Sequence, residues 1–136
     1  MTPRLDMIGL VCKSVPESLK FYRMLGLEVA EPGPEEPYVE TTLPGGIRLS
    51  WNSEEMIREI DPQYVDPIGQ RIGLAFLCES PEAVDRGYGE IVAAGYTGHK
   101  EPWDAFWGQR YAQVIDPDGN VVDLFASLPD SEESGA

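Results

Sequence analysis

Histidine is almost missing from this chain: His99 is the single one among 136 residues. Zinc and iron centres draw heavily on imidazole, so a histidine-rich metal site cannot be built within one chain. A Ser-His-Asp triad would have one candidate base. Cysteine is scarce as well. Cys12 and Cys78 lie far apart, follow no C-x-x-C spacing, and read as free, buried thiols. Basic residues are few, 10 Lys and Arg against 24 Asp and Glu, for a net charge of -14. Phosphate backbones need a basic surface, so nucleic acid is excluded as a partner. The acidity serves solubility and permits attraction of a cationic small molecule. No apolar run approaches the roughly 18 residues of a membrane span. The opening "MTPRLDMIGL" lacks the apolar stretch and cleavage site of a secretory signal. The expectation is a soluble, cytoplasmic protein with no membrane partner.

What is present is a repeat. "MIGL" at residues 7 to 10 returns as "RIGL" at residues 71 to 74. The first copy opens an apolar strand over 7–12. Ser14 and Glu17 have the spacing of a capping box, Pro16 suits a first helical turn, and Gly26 ends the helix. "LEVAE" resumes as strand, "EPGPEEP" is a breaker-rich loop, and "YVETTLPGGIRLSW" reads as two strands about a "PGG" turn. Residues 52–69 form an acidic linker with one short helix at 53–60.

The pattern then restarts. "RIGLAFLC" is a strand, Ser80 and Pro81 open a helix closed by Gly95, and "YTGHKEPWDAFWG" is a long loop. "QRYAQVIDPDGNVVDLFA" is a hairpin about "DPDGN". Gly46 and Gly119 align at an offset of 73, beyond the 64 of the first match, which places extra residues in the tryptophan-bearing loop. The fold class is α+β, with two tandem βαβββ modules, about 5–51 and 70–127, making one domain over 1–127. An acidic tail follows over 128–136. Each module has one apolar sheet face it cannot bury alone.

Strand period two assigns the faces. Ile8, Leu10 and Cys12 share one, as do Ile72, Leu74, Phe76 and Cys78, and these belong under the helices. The opposite face carries Met7, Gly9 and Val11, and in the second copy Arg71, Gly73 and Ala75. Its glycines leave space. Arg48 and Ser50 share a face, as do Val121 and Asp123. If these are the open faces, Met7, Ser50, Arg71 and Asp123 line a cleft. Trp51 falls on the covered side.

"SLKFYRMLGLEV" after the first strand and "VIDPDGNVVDLF" near the end resemble the vicinal oxygen chelate superfamily, the glyoxalase/bleomycin-resistance/dioxygenase fold, over about residues 5–127. The resemblance implies curved open sheets around a cleft, completed in a homodimer in which modules can be swapped. It also implies metal-ligand positions at Met7, Ser50, Arg71 and Asp123, where His, Gln or Glu is usual. Asp123 alone suits a hard divalent ion. A thioether is soft, and the fixed charge of Arg71 repels cations. The resemblance is therefore to the metal-free, bleomycin-resistance-like branch, with no metal and no cofactor.

Arg71 and Asp123 are read either as an ion pair closing the pocket floor or as ligand contacts. Trp103, Phe106 and Trp107 cluster in a stretch without periodicity. They either plug a sheet edge or dimer interface or clamp a flat molecule, and the cluster as a whole favours the clamp. In the bleomycin-resistance branch a Pro-Trp element before the hairpin lines the drug groove, and "EPWDAFWGQRYAQVIDPDGN" resembles it. The ligand-binding residues expected are Met7, Tyr38, Arg48, Ser50, Arg71, Trp103, Phe106, Trp107 and Asp123, with no catalytic residue assigned.

The expected function is non-catalytic sequestration of a small aromatic, cationic compound such as an antibiotic. The alternative is a metal-independent or atypical lyase, isomerase or dioxygenase-like enzyme, with Asp123, Asp104 or Glu40 as base. A metal enzyme using displaced ligands Asp6, Glu40 and Asp123 ranks last. The fold alone does not choose among these.

Overall fold

The computed structural model describes residues 2–31, 33 and 35–129. Most of the expected acidic tail, from residue 130 on, lies outside them. The chain divides into two compact units, Met1–Pro67 and Ile68–Ala136. The boundary falls inside the segment expected as a linker. The fold is mixed α+β: among the described residues, seven strands form two open sheets and three helices accompany them. No helix among the described residues is long and apolar enough to cross a membrane.

In the first unit, β1 (Met7–Cys12), β2 (Tyr38–Thr42) and β3 (Arg48–Ser53) form a sheet in the order β1-β3-β2. β1 runs parallel to β3, and β2 antiparallel to it. α1 (Val15–Met24) crosses from β1 over one face. It begins where its sequence says it should, since Ser14 Oγ accepts the Glu17 amide at 3.2 Å. Gly26 takes the left-handed φ of 92° just beyond its end. Val15, Ser18, Leu19 and Tyr22 recur at helical spacing and are buried. Against them lies Trp51 of β3, fully buried, its ring 5.8 Å from that of Tyr22. The indole Nε1 has no acceptor there, so the packing of this ring outweighs an unmade hydrogen bond of about 1–3 kcal/mol. α2 (Glu54–Ile60) follows β3, capped by Ser53.

The "LEVAE" stretch is not a strand. Its carbonyls are taken by side chains instead of a ladder. Arg23 donates to Val29 O at 3.3 Å and Ala30 O at 3.0 Å, and Thr41 Oγ1 donates to Glu28 O at 2.9 Å.

In the second unit, β4 (Leu74–Leu77), β5 (Thr97–Ala105), β6 (Gln109–Ile115) and β7 (Val121–Ser127) form a sheet in the order β4-β7-β6-β5. α3 (Pro81–Ala93) covers one face, capped by Ser80. Along β7 burial alternates strictly, with Val122, Leu124 and Ala126 buried on the α3 side. The "DPDGN" turn is held by Asp116, whose Oδ1 accepts the amides of Asp118 and Asn120 at 2.9 and 2.8 Å, with Gly119 at φ 90°.

Three expectations need correction here. The stretch read as a long loop is β5, an edge strand. Register shifts between Gly98 and Lys100, and again between Lys100 and Trp103, erase the period-two signal, and Pro102 is tolerated because the strand is an edge. The strand expected over 71–78 spans only Leu74–Leu77. Ile72 lies before it, 76% exposed, and is not under a helix. Cys78 is half-buried, whereas Cys12 is buried.

α3 approaches β5 so closely that a Cβ on Gly98 would stand 2.1 Å from the Tyr88 hydroxyl oxygen. Gly98→Ala should cost about 1–3 kcal/mol in urea unfolding. Adding Tyr88→Ala should recover part of that loss, a non-additivity that a double-mutant cycle measures.

Candidate functional site

Each sheet has a face its helix does not cover, and the ladder registers say which residues occupy it. In the first unit Met7 lies opposite Arg48, Gly9 opposite Ser50, and Glu40 opposite Ser50 on the other side. Met7, Tyr38, Glu40, Arg48, Ser50 and Asn52 therefore share the face away from α1. Four of these, Met7, Tyr38, Arg48 and Ser50, are residues the sequence reading nominated as ligand contacts, and Glu40 is one it nominated as a base.

They form a closed polar network. Arg48 donates through Nη1 to both oxygens of Glu40, at 2.9 and 3.0 Å, and through Nη2 to Asp6 Oδ2 at 2.6 Å. The Tyr38 hydroxyl donates to Glu40 Oε1 at 2.7 Å and lies 3.3 Å from Met7 Sδ. Ser50 Oγ is buried and accepts from Asn52 Nδ2 at 3.0 Å. Gly9 leaves the room for this, since a Cβ there would sit 3.3 Å from both polar atoms. The Tyr38 and Arg48 hydrogen bonds hold Glu40 below the usual carboxylate range. The same bond to Glu40, with burial, pushes Tyr38 up.

In the second unit the uncovered face is aromatic. Trp103 of β5 lies opposite Tyr111 of β6, and Tyr111 opposite Phe125 of β7. The Trp103 and Tyr111 rings meet edge to face at 5.5 Å, and Tyr111 stacks on Phe125 at 6.1 Å. Trp107, from the turn after β5, meets Trp103 at 6.1 Å and Tyr111 at 5.3 Å. Its Nε1 donates to Gln109 Oε1 at 2.8 Å, which fixes the ring. Phe106 is at the turn's tip, 96% exposed, touching only the outer side of the cluster through Trp107 at 5.1 Å.

Asp123 lies beside this wall. Its Oδ2 accepts from the Tyr111 hydroxyl at 2.6 Å and its Oδ1 from Gln113 Nε2 at 2.9 Å. Burial, then the Asp123 hydrogen bond, pushes Tyr111 up to about 12.

Arg71 does not join Asp123. It is exposed, before β4 begins, and Ala75 is the residue opposite Asp123. The registers also revise the repeat. Ser50 faces Gly9 and Asp123 faces Ala75, an offset of two residues from the textual match of "MIGL" with "RIGL". The counterpart of Met7 is thus Gly73, and Arg71 lies two residues farther out.

Tyr111, Gln113, Phe125 and Lys100 were missed. The alternation along "RYAQV" and "VVDLF" carried the signal for the first three. Lys100 was hidden by the bulges.

The ligand positions implied by the family resemblance become Met7, Ser50, Gly73 and Asp123. Taken unit by unit, they do not fit a divalent ion. Met7 offers a soft thioether, Gly73 no side chain and Ser50 an oxygen engaged by Asn52, which leaves Asp123 as a single carboxylate, too few hard ligands for a divalent ion. The displaced alternative fits no better, because Asp6 and Glu40 flank the Arg48 guanidinium, which repels a cation. No group of three or more His, Cys, Asp or Glu among the described residues is disposed to hold a metal.

Solved structures share this fold. A glyoxalase/bleomycin resistance protein/dioxygenase family enzyme from Burkholderia phytofirmans PsJN superposes with a TM-score of 0.79 at 22% identity, covering 93% of this chain and 100% of that one. A glyoxalase/bleomycin resistance protein/dioxygenase from Nocardioides gives 0.72 at 24% identity, covering 98% and 89%. A glyoxalase-related enzyme from Fulvimarina pelagi gives 0.77 at 20% identity, covering 93% and 89%. At these identities the likeness is one of fold. No curated protein sequence matches the chain. The model of the Glyoxalase/Bleomycin resistance protein/Dioxygenase superfamily matches residues 4–124, nearly the whole length, and the chain belongs to that superfamily.

Proposed function

We propose that this protein binds and sequesters a small aromatic compound, such as an antibiotic, without chemically changing it, as in the bleomycin-resistance-like branch. The observation that carries the reading is the wall of Trp103, Trp107, Tyr111 and Phe125 on the sheet face that α3 does not cover. Trp103, Trp107 and Tyr111, held edge-on to one another, leave ring faces for a flat guest, and each is fixed by the sheet or by a hydrogen bond, so little conformational freedom is lost on binding.

The first unit supports the same reading from the other side. A general base works best with a pKa near the operating pH. Glu40 is shifted down, and Tyr38 and Tyr111 up, all away from neutrality. Asp104, another candidate base, is paired with Arg110 at 3.1 Å. Arg48 already serves two carboxylates, which leaves it little capacity to hold an anionic substrate.

The working form we propose is a cytoplasmic homodimer. Ile68, Ile72 and Leu77 of the second unit are exposed apolar side chains that association would cover.

Titration with bleomycin and with 1-methylnaphthalene should quench tryptophan fluorescence, and mass spectrometry should recover each compound intact. Trp103→Ala and Trp107→Ala should each weaken binding by about 1 kcal/mol. Unaltered affinity in both variants removes the wall from the site, and a new product mass favours the enzyme. Light scattering should give twice the chain mass; a monomer at working concentration overturns the dimer.

A further inference from the structure

The aromatic wall already holds a cation of its own. The Lys100 ammonium lies over the Trp103 ring, 4.2 Å from its centroid. Lys100 is opposite Gln113 on β6, and Gln113 donates to Asp123. So the edge strand delivers an ammonium to the outer ring of the wall, on the sheet face that also carries Asp123, with Gln113 of β6 between Lys100 and Asp123. The bulges on both sides of Lys100 are what aim it there.

Two neutral donors, the Tyr111 hydroxyl and the Gln113 amide, hold Asp123. A carboxylate accepts up to about four hydrogen bonds, so capacity remains. A ring face that attracts an ammonium, on the same sheet face as a carboxylate with spare lone pairs, selects an organic cation over a neutral or anionic guest. Resting on the sequestration reading above, we infer that the guest carries a protonated or quaternary amine next to its aromatic part, and that Lys100 is an internal stand-in which that amine displaces from Trp103. Lys100 then lowers the affinity for the true guest and rejects guests too weakly charged to replace it. This makes Lys100 a specificity-setting residue.

Equilibrium dialysis at moderate salt tests this with three near-isosteric probes: N-methylquinolinium, neutral 1-methylnaphthalene and anionic 1-naphthoate. The wild type should prefer N-methylquinolinium. Lys100→Gln should strengthen N-methylquinolinium about two- to fivefold, the worth of an exposed cation–π contact, and leave 1-methylnaphthalene unchanged. Lys20→Gln, on an exposed helix position in the first unit, should change neither. Asp123→Asn should abolish the preference for the cation. Equal strengthening by Lys20→Gln would reduce the effect to net charge and overturn the role of Lys100. Weaker 1-naphthoate binding in Lys100→Gln, with the cation unaffected, would make Lys100 an anion contact and overturn the inference. If 1-methylnaphthalene binds and N-methylquinolinium binds no tighter, the amine is wrong while sequestration stands. If no probe binds any variant, both fall.

Discussion

Each sheet here is covered by its helix on one face only, and the strands alternate. Those two conditions decide most of what the molecule can do. The residues that face α1 or α3 must be apolar and close-packed, as with Trp51 against Tyr22, or Leu124 beside Gly87. The residues between them are released from that demand. They are where Arg48, Tyr38, Asp123 and the ring cluster appear. A one-residue slip in any strand would exchange the two sets, so core packing and site placement are held by the same register.

The two uncovered faces have diverged in chemistry while keeping related ladders. That of the first unit is polar and internally hydrogen-bonded: one guanidinium, two carboxylates, a phenol and a thioether contact each other. That of the second unit is aromatic, with a carboxylate restrained by uncharged donors. Its rings are preorganised by the sheet and by the Trp107–Gln109 hydrogen bond.

Much of this was legible in the chain. The helices announce themselves through Ser14, Ser80, Gly26 and Gly95, and "DPDGN" announces its hairpin. The period-two pattern separated Met7, Arg48 and Ser50 from Trp51 correctly. The failures have specific causes. β5 carries two register shifts and a proline, so its alternation is broken and it resembles a loop. Residues 27–31 have strand composition, but Arg23 and Thr41 claim their carbonyls. The textual repeat misplaced Arg71 because identical letters need not share a ladder rung.

Local chemistry settled which segments are helix or strand, where they stop, and which side chains alternate, since caps, turns and period two act within a few residues. Hydrogen bonding between strands distant in sequence settled what no such window contains. It brought Trp103 to Tyr111 and Tyr111 to Asp123, and put Ala75 where Arg71 was expected. Pairing register is a property of two strands together, and neither strand alone encodes it.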